Sequence, residues 1–294
     1  MADGEPEIEP GRRPGTLFVV ATPIGNLDDL SPRAAAALRE ADVIAAEDTR
    51  RVAILLDHVG AGARRDVRST FDGNEAARAE ELAAVLAAGR TVALVSDAGT
   101  PGVSDPGARV VRAAIAVGAP VVVIPGPVAA IAALVASGLA SDRFLFVGFP
   151  PRDPGPRAAL VGGLVDERAT LLFYEAPDRV GATLATLAAG LGDERAATVS
   201  RELTKRYEEH VRGTLGELRA RFADVAPRGE CVIVVAGAPA SAARAVVDVD
   251  AAGRALLAQG FGPKDVAQRL VVKTGRPRRE LYQLALALAR DVGA

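Results

Sequence analysis

The chain has 294 residues, 49% of them hydrophobic, and a formal net charge of −2, which excludes a disordered polymer and gives no overall attraction to polyanions. A single cysteine, Cys231, excludes an internal disulfide and points to a reducing, cytoplasmic location, and two histidines, His58 and His210, exclude a His-rich metal centre, so no metal is expected. This length predicts about two domains.

Residues 1–14 are acidic and proline-bearing with no apolar core, and read as a disordered tail rather than a targeting segment. From residue 15 onward, apolar runs alternate with alanine-rich helical stretches: LFVVA, VIAA, VALV, VVVI, FLFVGF, TLLFY, ATVS and CVIVVA. Hydrophobicity that is continuous rather than alternating predicts strands covered on both faces, as in a largely parallel α/β sheet. Ser31-Pro32 marks a helix start, Asp105-Pro106 repeats the device, and Thr214 with Glu217 fits a capping box. Gly89, Gly118 and Gly138 sit where helices should stop. No charge occurs from Ala113 to Ser141, but Gly118, Pro120, Pro125, Gly126 and Pro127 divide that run, so it reads as core and no membrane is expected.

These signals divide the chain into α/β domains at 15–127 and 128–240, a linker at 241–252 and a basic tail at 253–294. Between Gly253 and Arg290 there are eight Lys/Arg against two Asp/Glu, a local +6 that leaves the remainder at −8. Pro263 opens one helix there, Thr274-Gly275-Arg276-Pro277 makes a turn, and Arg278 opens another. This helix-turn-helix-like pattern suits a nucleic-acid contact or a small helical cap burying Leu256, Leu257, Val266, Leu270, Leu281 and Leu284. The aromatics there, Phe261 and Tyr282, give little platform for base stacking.

The strand-like runs are trailed by TPIGN, EDTR, SDAGTPG, PGP, PPRD, EAPDR, RELTK and GAP. Open α/β sheets bind ligands outside the carboxyl ends of their strands, so this edge is the candidate site. No P-loop occurs, and ATPIGNLDDL lacks the paired glycines of a dinucleotide fold. Small residues beside Asp97 suit a ligand with hydroxyls, amides or positive charge, such as the sulfonium nucleoside S-adenosylmethionine, or, less well, a sugar or an amine.

In order, ATPIGNLDDLSPRA, AEDTR, SDAGTPGVSDPG, IPGP, FVGFPPR, FYEAPDR and RELTK resemble the ribosomal RNA small-subunit methyltransferase I family, a branch of the tetrapyrrole-methylase-like, class III S-adenosylmethionine-dependent enzymes. The resemblance implies two α/β domains with the cofactor in the cleft between them, a homodimer, and 2′-O-methylation of a cytidine in the decoding region of 16S ribosomal RNA within the small ribosomal subunit; no DNA is expected. It places Asp97, Ala98, Gly99 and Thr100 in the cofactor loop, with Pro23, Ile24, Val128, Ala129, Ala238 and Pro239 completing the pocket. Val128 stands where the family has Ser or Thr, and TFDGNE replaces a stretch that carries histidine in the family.

Methyl transfer to a ribose hydroxyl needs in-line orientation and a proton acceptor. Asp97 is read as positioning the cofactor, because a carboxylate against the sulfonium would favour the ground state. Glu47, Asp48, Glu75, Glu202 and Lys205 are the acceptor candidates, with Asp48, Glu75 and Lys205 preferred. Arg50, Asn74, Arg179, Arg201 and Glu202 are candidate substrate contacts. The same residue types also suit helix caps and local ion pairs. A tetrapyrrole C-methyltransferase and a non-catalytic nucleic-acid-binding assembly factor are the alternatives, the basic tail and the EDTR and RELTK ends speaking against the first.

Overall fold

The computed structural model describes residues 13–62, 66–239, 249–274 and 277–292. Residues 1–12 of the expected tail, 240–248 around the expected linker and Gly275-Arg276 of the expected turn lie outside the described residues. The chain divides into one compact unit of residues 1–136 with Ser200–His210, and a second of Ser137–Val199 with the remainder. The division falls after Ala136 rather than after Pro127.

The first unit alternates β1 (Leu17–Val20), α1 (Pro32–Glu40), β2 (Val43–Ala46), α2 (Thr49–His58), β3 (Asp66–Ser69), α3 (Glu75–Ala87), β4 (Val92–Val95), α4 (Ala108–Ala116), β5 (Val121–Ile124) and α5 (Ala129–Ser137). Its strands form one parallel sheet in the order β3-β2-β4-β1-β5. Successive strand residues point to opposite faces, and here both faces are apolar. Leu17, Val19, Val43, Ala45, Val92 and Leu94 pack with Leu82 and Leu86 of α3 and Val110 of α4. Val20, Ile44, Ala46, Ala93 and Val95 face the other way, onto Leu38 of α1 and Val52, Leu55 and Leu56 of α2. Two covered faces are why the interior strands β1, β2 and β4 lack polar alternation.

The second unit contains β6 (Phe144–Gly148), α6 (Pro154–Gly162), β7 (Thr170–Glu175), α7 (Val180–Leu191), α8 (Leu215–Arg221), β10 (Cys231–Val235) and most of β8 (Ala196–Arg201) and β9 (Glu209–Thr214), whose adjoining ends belong with Ser200–His210. Its sheet runs β6-β7-β10-β8-β9. β6 is parallel to β7, but β10 is antiparallel to it, with Cys231 opposite Glu175 and Val235 opposite Leu171, so the expectation of a largely parallel sheet holds for the first unit and not for the second. Phe173, Leu184, Leu187, Val199, Leu215, Leu218 and Ile233 form its core. β3 (DVRS) and β9 (EHVRGT) escape a hydrophobicity reading because both are edge strands with polar sequences.

Local signals set most helix ends. Ser31 Oγ accepts from the Ala34 amide at 3.1 Å with Pro32 opening α1, and Thr214 with Glu217 makes a reciprocal capping box on α8. Gly89, Gly118 and Gly138 follow the ends of α3, α4 and α5 with φ of 78°, 70° and 75°. The Asp105-Pro106 expectation fails: α4 begins at Ala108 with Gly107 as its cap residue and no side-chain cap of its own.

Three helices end the described chain: α9 (Val249–Ala258), α10 (Pro263–Thr274) and α11 (Arg278–Val292). Helix α9 starts inside the expected linker. Leu256, Val266, Ala267, Leu270, Leu281 and Ala285 form a small core of their own, with Leu257 and Leu284 partly buried at its margin. Arg254, Lys264, Arg269, Arg278, Arg279 and Arg290 remain exposed around it. Among the described residues no helix is long and apolar enough to cross a membrane.

Candidate active site at the carboxyl edge of the first sheet

The interior strand β1 lies between the central β4 and the edge strand β5, and the chain order reverses there, which makes the carboxyl ends of β1 and β4 the switch point of the sheet. The loops leaving them are stitched together. Thr22 and Gly99 exchange backbone hydrogen bonds of 2.8 and 3.1 Å, and Thr22 Oγ1 donates to the Ser96 carbonyl at 3.2 Å. Gly99 has φ +84°, a conformation side chains rarely adopt, and a Cβ there would lie 3.4 Å from both Ile24 Cγ2 and the Pro127 carbonyl oxygen. Thr100 Oγ1 donates to that carbonyl at 3.2 Å. Pro23, Ile24, Asp97, Ala98, Gly99, Thr100 and the Pro127-Val128 turn are therefore gathered on one edge, and Ala129 opens α5 beside them.

A cavity of about 190 Å³ opens on this edge, lined by Thr22, Pro23, Asp48, Arg51, Ser96 and Asp97 and floored by apolar side chains of α2. Asp97 ties two loops: its Oδ1 accepts from the Asp48 amide at 2.9 Å and its Oδ2 lies 3.5 Å from Arg51 Nε. Asp48 caps α2 by accepting from the Arg50 amide at 2.8 Å, and its carboxylate also grips the Arg50 guanidinium at 2.7 Å. The Arg50 hydrogen bonds hold the Asp48 carboxyl down to about 2. Glu47 is shifted the other way: burial raises its carboxyl first and the Asp97 charge second, with partial relief from the Asp97 amide. The expected contact Arg50 thus pairs locally, and the neighbouring Arg51, which sequence reading passed over, is the arginine on the cavity wall. The helical turn following Asp48 is the signal that would have found it, since two adjacent arginines must point differently.

Glu75 is buried at the start of α3, and its Oε1 accepts from the Gly107 and Arg109 amides, each at 2.9 Å, while Arg109 Nε stands 3.6 Å from Oε2. It supplies the N-terminal acceptor that α4 lacks in its own sequence. Asn74 closes its own loop, accepting from the Phe71 amide at 2.8 Å and donating to the Ser69 carbonyl at 3.0 Å.

The RELTK segment is a web of local pairs. Arg201 meets Glu209 through Nε and a terminal nitrogen at 2.7 Å each, and Lys205 Nζ meets Glu202 at 2.9 Å. Glu202 and Thr204 have φ of 51° and 65°, and Thr204 Oγ1 is buried without a partner. Lys205 lies on the first loop: a Cβ at Gly25 would fall 2.7 Å from its Cγ and Cε. Ser200 Oγ and His210 Nδ1 are 2.8 Å apart, and His210 Nε2 is 3.0 Å from a Glu208 oxygen whose partner oxygen accepts from the Thr204 amide at 2.5 Å. A neutral His210 in this chain carries its proton on Nε2, facing the carboxylate. The Thr204 amide and His210 hold the Glu208 carboxyl below its usual range.

Two expected groups belong to the second unit. Arg179 is turned inward, with Nε 3.3 Å from the fully buried Glu175 and a terminal nitrogen donating to the Pro150 carbonyl at 2.6 Å. It braces the PPR turn against the end of β7 instead of presenting a free guanidinium to a phosphate. Ala238 follows β10 and donates its amide to the Glu167 carbonyl at 2.7 Å, with Pro239 next in the chain. Among the described residues no group of His, Cys, Asp or Glu gathers as a metal site.

The family model of the tetrapyrrole (corrin/porphyrin) methylases matches residues 16–219. A Synechocystis relative, named ribosomal RNA small subunit methyltransferase I, is 46% identical over 94% of this chain and 99% of its own. A Xylella fastidiosa relative of the same name is 46% identical over 92% of this chain and 98% of its own. Among solved structures, the uroporphyrin-III C-methyltransferase of Thermus thermophilus complexed with S-adenyl homocysteine has a TM-score of 0.51 at 20% identity, covering 76% of this chain and 97% of that one, a likeness of fold. The chain belongs to the tetrapyrrole (corrin/porphyrin) methylase family, alongside relatives named ribosomal RNA small subunit methyltransferase I.

Proposed function

We propose that this protein is an S-adenosylmethionine-dependent methyltransferase that modifies the ribose 2′ oxygen of a cytidine in the decoding region of 16S ribosomal RNA, acting in the cytoplasm on the small ribosomal subunit. The observation that carries the reading is the stitched β1 and β4 loop edge, where Gly99 bares its backbone beside Asp97 in a chain whose near-full-length relatives bear an RNA methyltransferase name. The residues fit the cofactor: a left-handed glycine permits close approach of a nucleoside, and Asp97 offers an acceptor for ribose hydroxyls or the methionine ammonium. The cavity is smaller than the roughly 300–1,000 Å³ of most cofactor sites, so it suits part of such a ligand.

The cofactor would supply an activated methyl group; the protein must orient it and take up a proton. Asp48, held at about 2 by Arg50, is a weak proton acceptor at neutral pH. Glu75 is engaged with α4 and serves the site as a support. Glu47, raised by burial and standing beside Asp97 and Arg51 of the cavity wall, is the better-matched acceptor. Lys205, paired with Glu202 and laid on Gly25, is suited to hold an RNA phosphate near the first loop. The exposed basic side chains of α9–α11 provide a second, sequence-independent RNA contact. The uncharged run from Ala113 to Ser141 leaves Val123, Ile131 and Val135 exposed, apolar side chains suited to contact with a second copy of the chain.

Calorimetry with S-adenosylmethionine tests the reading. Saturable binding by the wild type that is severely weakened in Asp97→Ala is expected; absence of saturable binding to the wild type would overturn it.

A further inference from the structure

Tyr207 is the most exposed aromatic side chain among the described residues, at 66%, and stands in a strongly charged stretch where an aromatic ring has no solubility role. The Arg206 guanidinium lies 5.5 Å from its ring centroid, a cation–π pair that stiffens the ring and leaves it out in solvent. Of the aromatics weighed for stacking from sequence, Phe261 lies 4.0 Å from the Arg269 guanidinium in the small helical core and Tyr282 is partly buried against that same core.

The loop that carries Tyr207 is held to one shape by interactions unusual for an exposed turn. The chain Ser200–His210–Glu208–Thr204 closes its base, with the fully buried Ser200 hydroxyl at one end and the Thr204 amide at the other. Two non-glycine residues, Glu202 and Thr204, are kept at positive φ, a conformation that persists only where surrounding contacts over-determine it. Lys205, two residues before Tyr207, rests on Gly25 beside the cofactor-loop residues Pro23 and Ile24. A rigid aromatic placed next to a candidate methyl-transfer edge loses little entropy on binding.

We propose that Tyr207, stiffened by Arg206, is a stacking contact for an unpaired nucleotide of the RNA substrate, and that the Ser200–His210–Glu208–Thr204 chain is the positioning device that presents it. The inference rests on the reading of the substrate as RNA. Single-stranded bases stack on aromatic faces with little regard for sequence, so this contact would grip a nucleotide near the target without choosing the target itself.

The test uses the full-length protein and small ribosomal subunits from cells lacking the modification, measuring equilibrium binding and steady-state methyl transfer. Tyr207→Ala should weaken subunit binding and raise KM about 5- to 150-fold, the usual worth of one stacked base, while kcat and cofactor affinity stay at wild-type values. Tyr207→Phe, which keeps the ring face, should behave as wild type. His210→Ala, which opens the loop, should raise KM in the same direction. Unchanged binding and KM in Tyr207→Ala, or equal losses in Tyr207→Phe, would overturn the stacking contact; unchanged KM in His210→Ala would overturn the positioning role. A wild-type protein that transfers no methyl to the subunits would remove the RNA reading and this inference with it, whereas normal wild-type transfer alongside an indifferent Tyr207→Ala removes the inference alone.

Discussion

Replacing Glu75 separates support from catalysis. Its Oε1 accepts two amide protons at 2.9 Å, one from the buried Gly107 and one from Arg109 in the first turn of α4. A hydrogen bond to a charged acceptor contributes roughly 1.5–3 kcal/mol, and a buried donor left unmade costs about as much. In Glu75→Ala the Gly107 amide loses its partner in the interior, while the Arg109 amide lies on an exposed residue where water replaces the carboxylate. The expected loss is therefore about 2–4 kcal/mol, the buried amide accounting for most of it. Glu75→Gln keeps an acceptor of the same reach and forfeits mainly the charge at the helix N-terminus, about 1 kcal/mol. Urea unfolding gives both values, and methyl-transfer assays run beside it give the consequence for the site. As a support, Glu75→Gln should retain most of the activity, and Glu75→Ala should lose cofactor affinity as the loop before α4 loosens. Abolished transfer in Glu75→Gln, with stability and cofactor affinity intact, would refute this assignment and make Glu75 the proton acceptor.

Other changes have equally definite outcomes. Burial and Asp97 raise the Glu47 carboxyl, so its ionisation opposes folding above the ordinary value of 4.5 and has no such effect below it; Glu47→Gln should raise Tm at neutral pH, lose that advantage as pH falls past 4.5, and lower kcat, and a Tm gain that persists in acid would contradict the shift. Asp48 is shifted downward, so its contribution to α2 is complete above 3.8 and lost only as pH falls towards about 2, which carboxylate titration by NMR should show. Thr204→Gly relieves a left-handed β-branched residue and removes a buried unpartnered hydroxyl, and should stabilise the protein by about 1–3 kcal/mol in urea unfolding while loosening the loop. Truncation before Val249 should lower RNA affinity and flatten its salt dependence while leaving cofactor binding unchanged, since α9–α11 have their own core. If the proposed second copy packs on Val123, Ile131 and Val135, the change Val135→Glu, which puts a charge on an exposed apolar position, should move the protein towards monomer in light scattering.

The interior strands of the first sheet were legible because both of their faces are covered: LFVVA, VIAA and VALV announce themselves by unbroken hydrophobicity, the part-exposed edge strand VVVI shares that pattern, and Ser31 and Thr214 announce helix starts by short-range hydrogen bonds. What escaped reading depends on partners distant in sequence. The acceptor for α4 is Glu75, 32 residues before Gly107, although Asp105 has the better local pattern. β10 turns antiparallel to β7, which strand hydrophobicity alone does not encode. The polar edges β3 and β9 look like loops. At the site, residue types pointed to an edge of the sheet but not to roles: Arg50, Arg201 and Lys205 pair with nearby carboxylates, as the local ion-pair reading of EDTR and RELTK allowed, and Arg179 turns inward onto the buried Glu175. Arg51 and Tyr207 became visible only from the direction and exposure of their side chains.

The most direct measurement of the central claim incubates the protein with labelled S-adenosylmethionine and unmodified small ribosomal subunits, then maps the label in the RNA by mass spectrometry. The expected result is a single methyl group on the 2′ oxygen of one cytidine in 16S ribosomal RNA, absent with Asp97→Ala. Cofactor bound but no methyl on the RNA, or a methyl on a base carbon or nitrogen, would contradict it.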